Sequence, residues 1–157
     1  MTWRYWSVLP GVLFAFTAVS AWQAPAAQPS GAKLRPISSI DGKDLYAAYC
    51  AQCHGAAGKG DGPSAAGLKT PVPDLTQIAV RNGGKFNRTS VARFISGDRP
   101  GSVLKLSPQT GQPTLMRDGV ADEMPVWGTL FRIMWKDEPS MLRCANLAKY
   151  LEKIQVR

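Results

Sequence analysis

Apolar residues recur at spacings of three and four residues in three stretches of this chain, and each stretch predicts one face of an α-helix. The first helix begins after residue 41 and ends near Gly55, because glycine commonly terminates helices. A second, shorter helix spans Asn87 to Ile95, and a third begins after Pro139 and runs to about Ile154. Their apolar positions are Leu45, Tyr46, Tyr49, Cys50 and Cys53, then Val91, Phe94 and Ile95, then Cys144, Leu147, Ala148, Leu151 and Ile154.

The segments between these helices show no alternation of apolar and polar residues that is long enough to predict a β-strand. Residues 55–67 form a glycine-rich loop, whose glycines we expect to let backbone pass close to a flat ligand. Residues 71–75 are predicted to be extended. Residues 98–123, with three prolines and three glycines, are predicted to be a long irregular stretch.

The first 27 residues differ in character from the rest. Arg4 precedes an apolar run from Val8 to Val19, and small residues follow, which is typical of a secretory signal peptide with candidate cleavage sites near residues 21 and 27. The run is shorter than the roughly 20 apolar residues of a usual membrane span, and an uncleaved anchor stays the alternative. Residues 28–40 are predicted to be a flexible linker, and residues 41–157 the one folded domain.

The charge balance is basic, with 19 Lys and Arg against 11 Asp and Glu, a net charge of +8. Removing residues 1–27 deletes only Arg4 and leaves +7. The positive charges are spread along the chain without a dense basic run, so nucleic acid is not an expected partner. The electrostatic field of such a basic protein would steer it toward an acidic protein or an anionic membrane surface. A basic surface that serves only solubility is the alternative.

The candidate chemistry lies in Cys50-Ala51-Gln52-Cys53-His54, which has the spacing of covalent haem attachment. On one helical turn, both thiols can form thioethers with the vinyl groups of a haem, and the next residue offers an imidazole as the proximal iron ligand. Three alternatives compete with this interpretation: a thioredoxin-like redox pair, half of a zinc site, and two buried cysteines placed by chance.

The inventory of possible ligands favours haem. The chain has three Cys and one His, so a tetrahedral zinc site would have only Cys144 as a further thiol. A thioredoxin-like site needs alternating strands and helices around the motif, whereas the flanks here predict loops and short helices. Because there is no second histidine, a bis-histidine haem is excluded. The sixth iron ligand is therefore methionine, a weaker donor, or nothing.

Together these residues resemble the class I c-type cytochromes, in particular the bacterial monohaem kind, over roughly residues 41–155. Gly42 and Tyr46 lie eight and four residues before the first cysteine of the motif. The resemblance implies that Gly42 lets the C-terminal helix cross closely and that Tyr46 packs on that helix. The matching positions in the last helix are Leu147 and Tyr150.

The resemblance also implies an all-α fold, in which three or more helices joined by long loops surround one covalently bound haem c and its iron. Pro73 and Leu75 match the turn whose carbonyl accepts the second N–H of the proximal His54, and Met124-Pro125 matches the loop of the axial methionine. In such proteins haem is attached outside the cytoplasm, which agrees with an export signal.

Two features depart from the family pattern. The segment between the middle helix and the methionine loop is longer than usual, so its length does not support the ligand assignment. Cys144 stands where a plain hydrophobe is usual. We interpret Cys144 as core filler, because a free cysteine packs as a small hydrophobe. A reactive or dimerising thiol is the alternative.

Four methionines follow the motif and could supply the sixth ligand: Met116, Met124, Met134 and Met141. We favour Met124, because Pro125 fixes its backbone and Trp127 can cover the site. Met124 also lies 70 residues after His54, enough for a haem to sit between two halves of one domain. Met116 is the next candidate. The alternative for Met124 is a loop residue that packs on the haem without binding iron.

Iron ligated by His54 and Met124 has no open coordination position, so we expect an electron carrier rather than an enzyme. It would exchange single electrons with redox partner proteins in the periplasm through small interfaces that release quickly, with Lys59, Lys69 and Arg88 as candidate charges at the rim. The alternative is an electron-accepting subunit of a periplasmic dehydrogenase or another oxidoreductase complex.

Overall fold

The computed structural model describes residues 34–106, 113–117, 120–136 and 140–156. The predicted signal peptide and the first part of the predicted linker lie outside the described residues. In chain order, the helices and strands of the described part are α1 (Gly42–Tyr49), α2 (Ala51–His54), α3 (Ile78–Arg81), α4 (Arg88–Ser96), β1 (Val103–Leu106), β2 (Pro113–Arg117), β3 (Val120–Ala121), α5 (Trp127–Met134) and α6 (Ser140–Lys153).

Side-chain caps explain where two of these helices begin. The carboxylate of Asp41 accepts the Lys43 N–H at 2.8 Å and starts α1, while the side-chain oxygen of Asn87 accepts the Ser90 N–H at 2.9 Å and starts α4. Helix α4 ends at Gly97, whose φ of 102° is the left-handed conformation of a glycine cap. The predicted starts of these two helices are confirmed.

The first predicted helix is divided at Cys50, where the chain passes from α1 into the short α2. The Cys50 N–H still donates to the Tyr46 carbonyl at 2.9 Å, so the axis continues through the break. Gly55 ends α2 with a φ of 77°, as its position predicts. The motif Cys50–His54 therefore lies on one helical turn directly after the partly buried α1.

Helix α6 is the centre of the core, and α1, α4 and α5 pack around it. Its buried residues include Cys144, Leu147, Ala148 and Leu151, which is the predicted apolar stripe apart from partly buried Ile154. An aromatic cluster fills the space between α1 and α5. Its members are Tyr49, Trp127, Phe131 and Trp135, with ring centroids 5.4 to 6.2 Å apart.

The crossing of α1 and α6 is close because Gly42 has no side chain. A Cβ atom added at Gly42 would lie 2.1 Å from the carbonyl oxygen of Asn146 and 2.9 Å from the Cβ of Tyr150. One turn later, the rings of Tyr46 and Tyr150 contact each other with centroids 5.2 Å apart. The structure confirms the close helix crossing that the family resemblance implies.

Residues 34–40, at the end of the predicted linker, lie against this core. The Tyr49 hydroxyl accepts the Ile37 N–H at 3.1 Å and donates to the Arg35 carbonyl at 2.8 Å. The fully buried Arg143 donates to the Ser39 carbonyl at 2.8 Å and stacks on Trp135.

The prediction of an irregular stretch over residues 98–123 is wrong in part, because β1, β2 and β3 form a small antiparallel sheet there. Val103 is paired with Met116, and Met116 with Ala121. The four residues of β1 are all exposed, so no alternation marks the strand in the sequence. The sheet lies between α4 and α5 in the chain, and the core itself is helical, as expected for the fold class.

Helix α5 was not among the predicted helices. It buries Trp127, Gly128, Leu130 and Phe131 on one face. No side chain caps its start, because the capping position holds Val126. Within the described residues, no helix is both long enough and apolar enough to cross a membrane.

Candidate functional site

The motif residues occupy a single helical turn. The N–H groups of Cys53 and His54 both donate to the Cys50 carbonyl, at 3.2 and 2.9 Å. All three residues are partly exposed, whereas the α1 face just before them is buried. Both thiols are free. This turn therefore presents two thiols and one imidazole at the border between the core and the surface.

His54 has the surroundings of a neutral imidazole. Its Nδ1 lies 3.5 Å from the Pro73 carbonyl oxygen, a distance that permits the hydrogen bond implied by the family resemblance. Burial lowers the pKa of His54 despite this contact, which acts in the opposite direction. A neutral imidazole is the form that binds a metal. With Nδ1 directed to Pro73, Nε2 is the nitrogen left for iron.

The glycine-rich loop places Pro73 beside His54. A Cβ atom at Gly60, where φ is 82°, would lie 2.2 Å from the Val72 carbonyl oxygen. The Gly60 N–H donates to the His54 carbonyl at 2.9 Å, and the Leu75 N–H donates to the Gly58 carbonyl at 2.7 Å. These glycines were predicted to approach a flat ligand. The close approach that the structure shows is to the chain's own backbone.

Met124 lies in the loop between β3 and α5, partly buried against the core. The neighbouring Glu123 joins this loop to the segment that follows the motif, because its carboxylate accepts the N–H groups of Lys69 and Thr70 at 2.8 and 2.9 Å. Burial raises the pKa of the Cys53 thiol, and the negative charge of Glu123 adds to that effect. Glu123 therefore brings the methionine loop near the second cysteine of the motif.

The other methionines lie in different settings. Met116 is held in the central strand β2. Met134 is in the last turn of α5, and Met141 is 47% exposed in the first turn of α6. Among the contacts of the described residues, it is Glu123, adjacent to Met124, that joins a candidate methionine to the segment after the motif.

Sequence reasoning missed Arg99, which it counted only among the dispersed surface charges. The structure buries the Arg99 side chain completely and pairs it with Asp122, two residues before Met124. No signal in the sequence distinguishes Arg99 from the exposed arginines, because its partner is 23 residues away and lies after the small sheet.

The donors at this site fit a haem. Within the described ranges, no group of three or more His, Cys, Asp and Glu residues could hold a metal ion. One imidazole and one thioether cannot complete the coordination of a bare metal ion. A porphyrin supplies four nitrogens itself and takes at most two axial ligands from the protein. The two free thiols on one turn are suited to covalent attachment of such a group.

These features define a protein that binds haem through a short covalent motif on a helical core. The sequence model of the cytochrome c family matches residues 39–122, more than half of the chain, and the chain therefore belongs to that family. Its cofactor is haem c with its iron, bound covalently, and its role is that of a haem-binding electron-transfer protein. The match ends two residues before Met124. Searches of curated proteins and of solved structures found no match.

Proposed function

We propose that this cytochrome carries single electrons between redox partner proteins through a haem iron ligated by His54 and Met124. The observation that carries this proposal is the link from the methionine loop to the motif. Glu123 binds residues 69 and 70, and its charge acts on Cys53. A methionine in this loop is thereby kept near the turn that holds the histidine.

When bound, the haem supplies a one-electron couple between ferric and ferrous iron. With His54 and Met124 as its two protein ligands, the iron would have no position open to oxygen or to substrates. A thioether sulfur favours ferrous iron and raises the reduction potential relative to a second imidazole. The surrounding residues would then keep both ligands in place while the charge of the iron changes by one unit.

The charges near the site support partners with acidic surfaces. Lys59 and Arg81 both lower the pKa of Asp74, after the larger effect of the Thr76 hydroxyl, so both cations lie close to the Pro73 turn. Lys69 lies beside Glu123. Arg88, the third predicted rim charge, forms an ion pair with Glu152 instead, and its charge is partly compensated. We therefore propose Lys59, Lys69 and Arg81 as rim charges because each lies near the Pro73 turn or the methionine loop, where Asp74 and Glu123 offset part of their charge as well.

We also propose that the protein is exported to the periplasm. The support is the Arg4 charge followed by the apolar run in residues 1–27. If this segment is retained, it would hold the cytochrome at the membrane.

A dedicated subunit of an oxidoreductase complex is the second candidate function. The observation that favours it is the exposure of β1, where Val103, Leu104 and Leu106 are 60%, 50% and 70% exposed. Exposed apolar residues that lie together commonly mark a surface where a partner protein binds. Copurification of a second protein with stable stoichiometry from the native host would favour the subunit over the free carrier.

The proposed ligation is tested by comparing Met124→Ala with Met116→Ala in covalently loaded protein. Met124→Ala should abolish the weak near-infrared sulfur-to-iron absorption of the ferric form, lower the reduction potential and let the ferrous form bind carbon monoxide. Met116→Ala should change none of these. The opposite result would move the ligand to Met116 and leave electron transfer in place.

A further inference from the structure

Arg99 is a buried cation beside the methionine loop. Its side chain has no exposed surface, and its guanidinium carbon lies 4.6 Å from the centroid of the Phe94 ring. Its Nε donates to the Phe94 carbonyl at 3.1 Å, which anchors the side chain to the last turn of α4. Burying an arginine costs free energy unless its N–H donors are satisfied. The partners of the two remaining nitrogens, Nη1 and Nη2, therefore indicate what this side chain does.

Those nitrogens contact the methionine loop. Nη1 lies 2.5 Å from a carboxylate oxygen of Asp122 and 3.4 Å from the Met124 carbonyl, and Nη2 lies 3.4 Å from the Pro125 carbonyl. The second carboxylate oxygen of Asp122 accepts the Met124 N–H at 2.9 Å. One ion pair therefore binds both the N–H and the carbonyl of Met124.

We propose that Arg99 and Asp122 are positioning residues for the sixth ligand, and that they keep the Met124 thioether on the iron. This inference rests on the proposed ligation by Met124. The planar guanidinium is suited to the task, since it reaches one carboxylate and two successive carbonyls at once, which a lysine ammonium cannot do. Asp122 is itself fixed at the sheet, where its N–H donates to the carbonyl of the buried Leu115 at 2.7 Å.

The pair thus connects the loop to two rigid parts of the fold, the end of α4 and the strand β2. Without Arg99, the loop would keep the Glu123 contacts and the restricted backbone of Pro125. The backbone of Met124 itself would lose its carbonyl contact, and Asp122 would lose its counter-charge. We expect the thioether to dissociate more often, while the histidine side of the haem stays in place.

The test uses holoprotein carrying Arg99→Met, Arg99→Lys or Asp122→Asn, with Arg93→Gln as the matched control. Arg93 lies on the same helix and forms an exposed ion pair with Asp98, so its replacement removes an equal charge and an ion pair away from the loop. Far-ultraviolet circular dichroism and the retained haem mass report folding and attachment. The near-infrared band of the ferric form and carbon monoxide binding to the ferrous form report the ligand.

We expect each Arg99 variant to bind carbon monoxide at least about tenfold more readily than the wild type, with a weaker near-infrared band, since residues that orient a metal ligand typically change metal-site properties by roughly 10- to 100-fold. Arg93→Gln should match the wild type. Should Arg99→Met fail to fold, Arg99→Lys and Asp122→Asn carry the test. Variants that fold and exclude carbon monoxide as the wild type does would overturn the inference. A wild type without the band would overturn the Met124 ligation itself, and the positioning role with it.

Discussion

Replacing Gly42 by alanine tests the helix crossing on which the fold depends. The added Cβ would lie 2.1 Å from the Asn146 carbonyl oxygen and 2.9 Å from the Tyr150 Cβ. The closest obstacle is backbone inside α6, so rotation of a side chain cannot relieve the clash. Helix α6 would have to move by roughly 1 Å to restore an ordinary contact, which opens the packing of both helices.

The magnitude follows from two opposing effects. Overpacking of a tight contact costs typically about 1–3 kcal/mol, and a clash with backbone belongs near the upper value. Alanine in a helix gains up to about 1 kcal/mol over glycine. The net loss in the free energy of unfolding should be about 2 kcal/mol, which for a domain of this size lowers the Tm by roughly 8 °C.

Gly67→Ala is the control, because it makes the same chemical change where, apart from the flanking residues, no atom of the described part of the chain lies within 4 Å of the added Cβ. Thermal and guanidinium unfolding of both holoproteins, followed by circular dichroism, should show a change of less than about 0.5 kcal/mol for the control. The account of the crossing is refuted if Gly42→Ala is as stable as Gly67→Ala.

Three further predictions concern stability and reactivity. Tyr46→Phe should lose about 1 kcal/mol in chemical unfolding, since the buried Tyr46 hydroxyl donates to the Gly55 carbonyl at 2.7 Å; an unchanged value would mean that water replaces this bond. The Thr76 hydroxyl lowers the pKa of Asp74 below its ordinary 3.8, so the charged carboxylate stabilises the fold above that pH. The stability difference between wild type and Asp74→Ala should therefore shrink as the pH falls below 3.8 in a series of unfolding curves, and a constant difference would contradict this. Burial raises the pKa of the Cys144 thiol to about 12, so it should resist iodoacetamide at pH 8 until the protein is unfolded, and Cys144→Val should cost less than about 1.5 kcal/mol; rapid labelling of the native protein would reveal a working thiol.

Local signals in the sequence were sufficient for the helices that frame the site. Asp41 and Asn87 cap α1 and α4 as their residue types favour, and the apolar stripe of α6 is buried almost as its period predicts. The motif itself required only one helical turn, so its geometry is local as well. These features depend on residues within a few positions of each other, so local sequence patterns are enough to predict them.

The missed features depend on contacts between distant residues. Helix α5 starts at Trp127, and Val126 before it offers no capping side chain. The exposed strand β1 has no buried face to impose alternation. Glu123 contacts Lys69, which is 54 residues away, and Arg99 pairs with Asp122, which is 23 residues away. Nothing in the local sequence distinguishes a charged residue with such a partner from one on the surface.

The most direct test of the central claim is a carbon monoxide titration of the ferrous wild-type holoprotein at neutral pH. The proposed ligation by His54 and Met124 leaves no open position on the iron, so the visible spectrum should not change on addition of carbon monoxide. Ready binding, with the spectrum of a ferrous carbonyl adduct, would show an open iron. It would contradict the electron-carrier proposal in favour of ligand binding or catalysis.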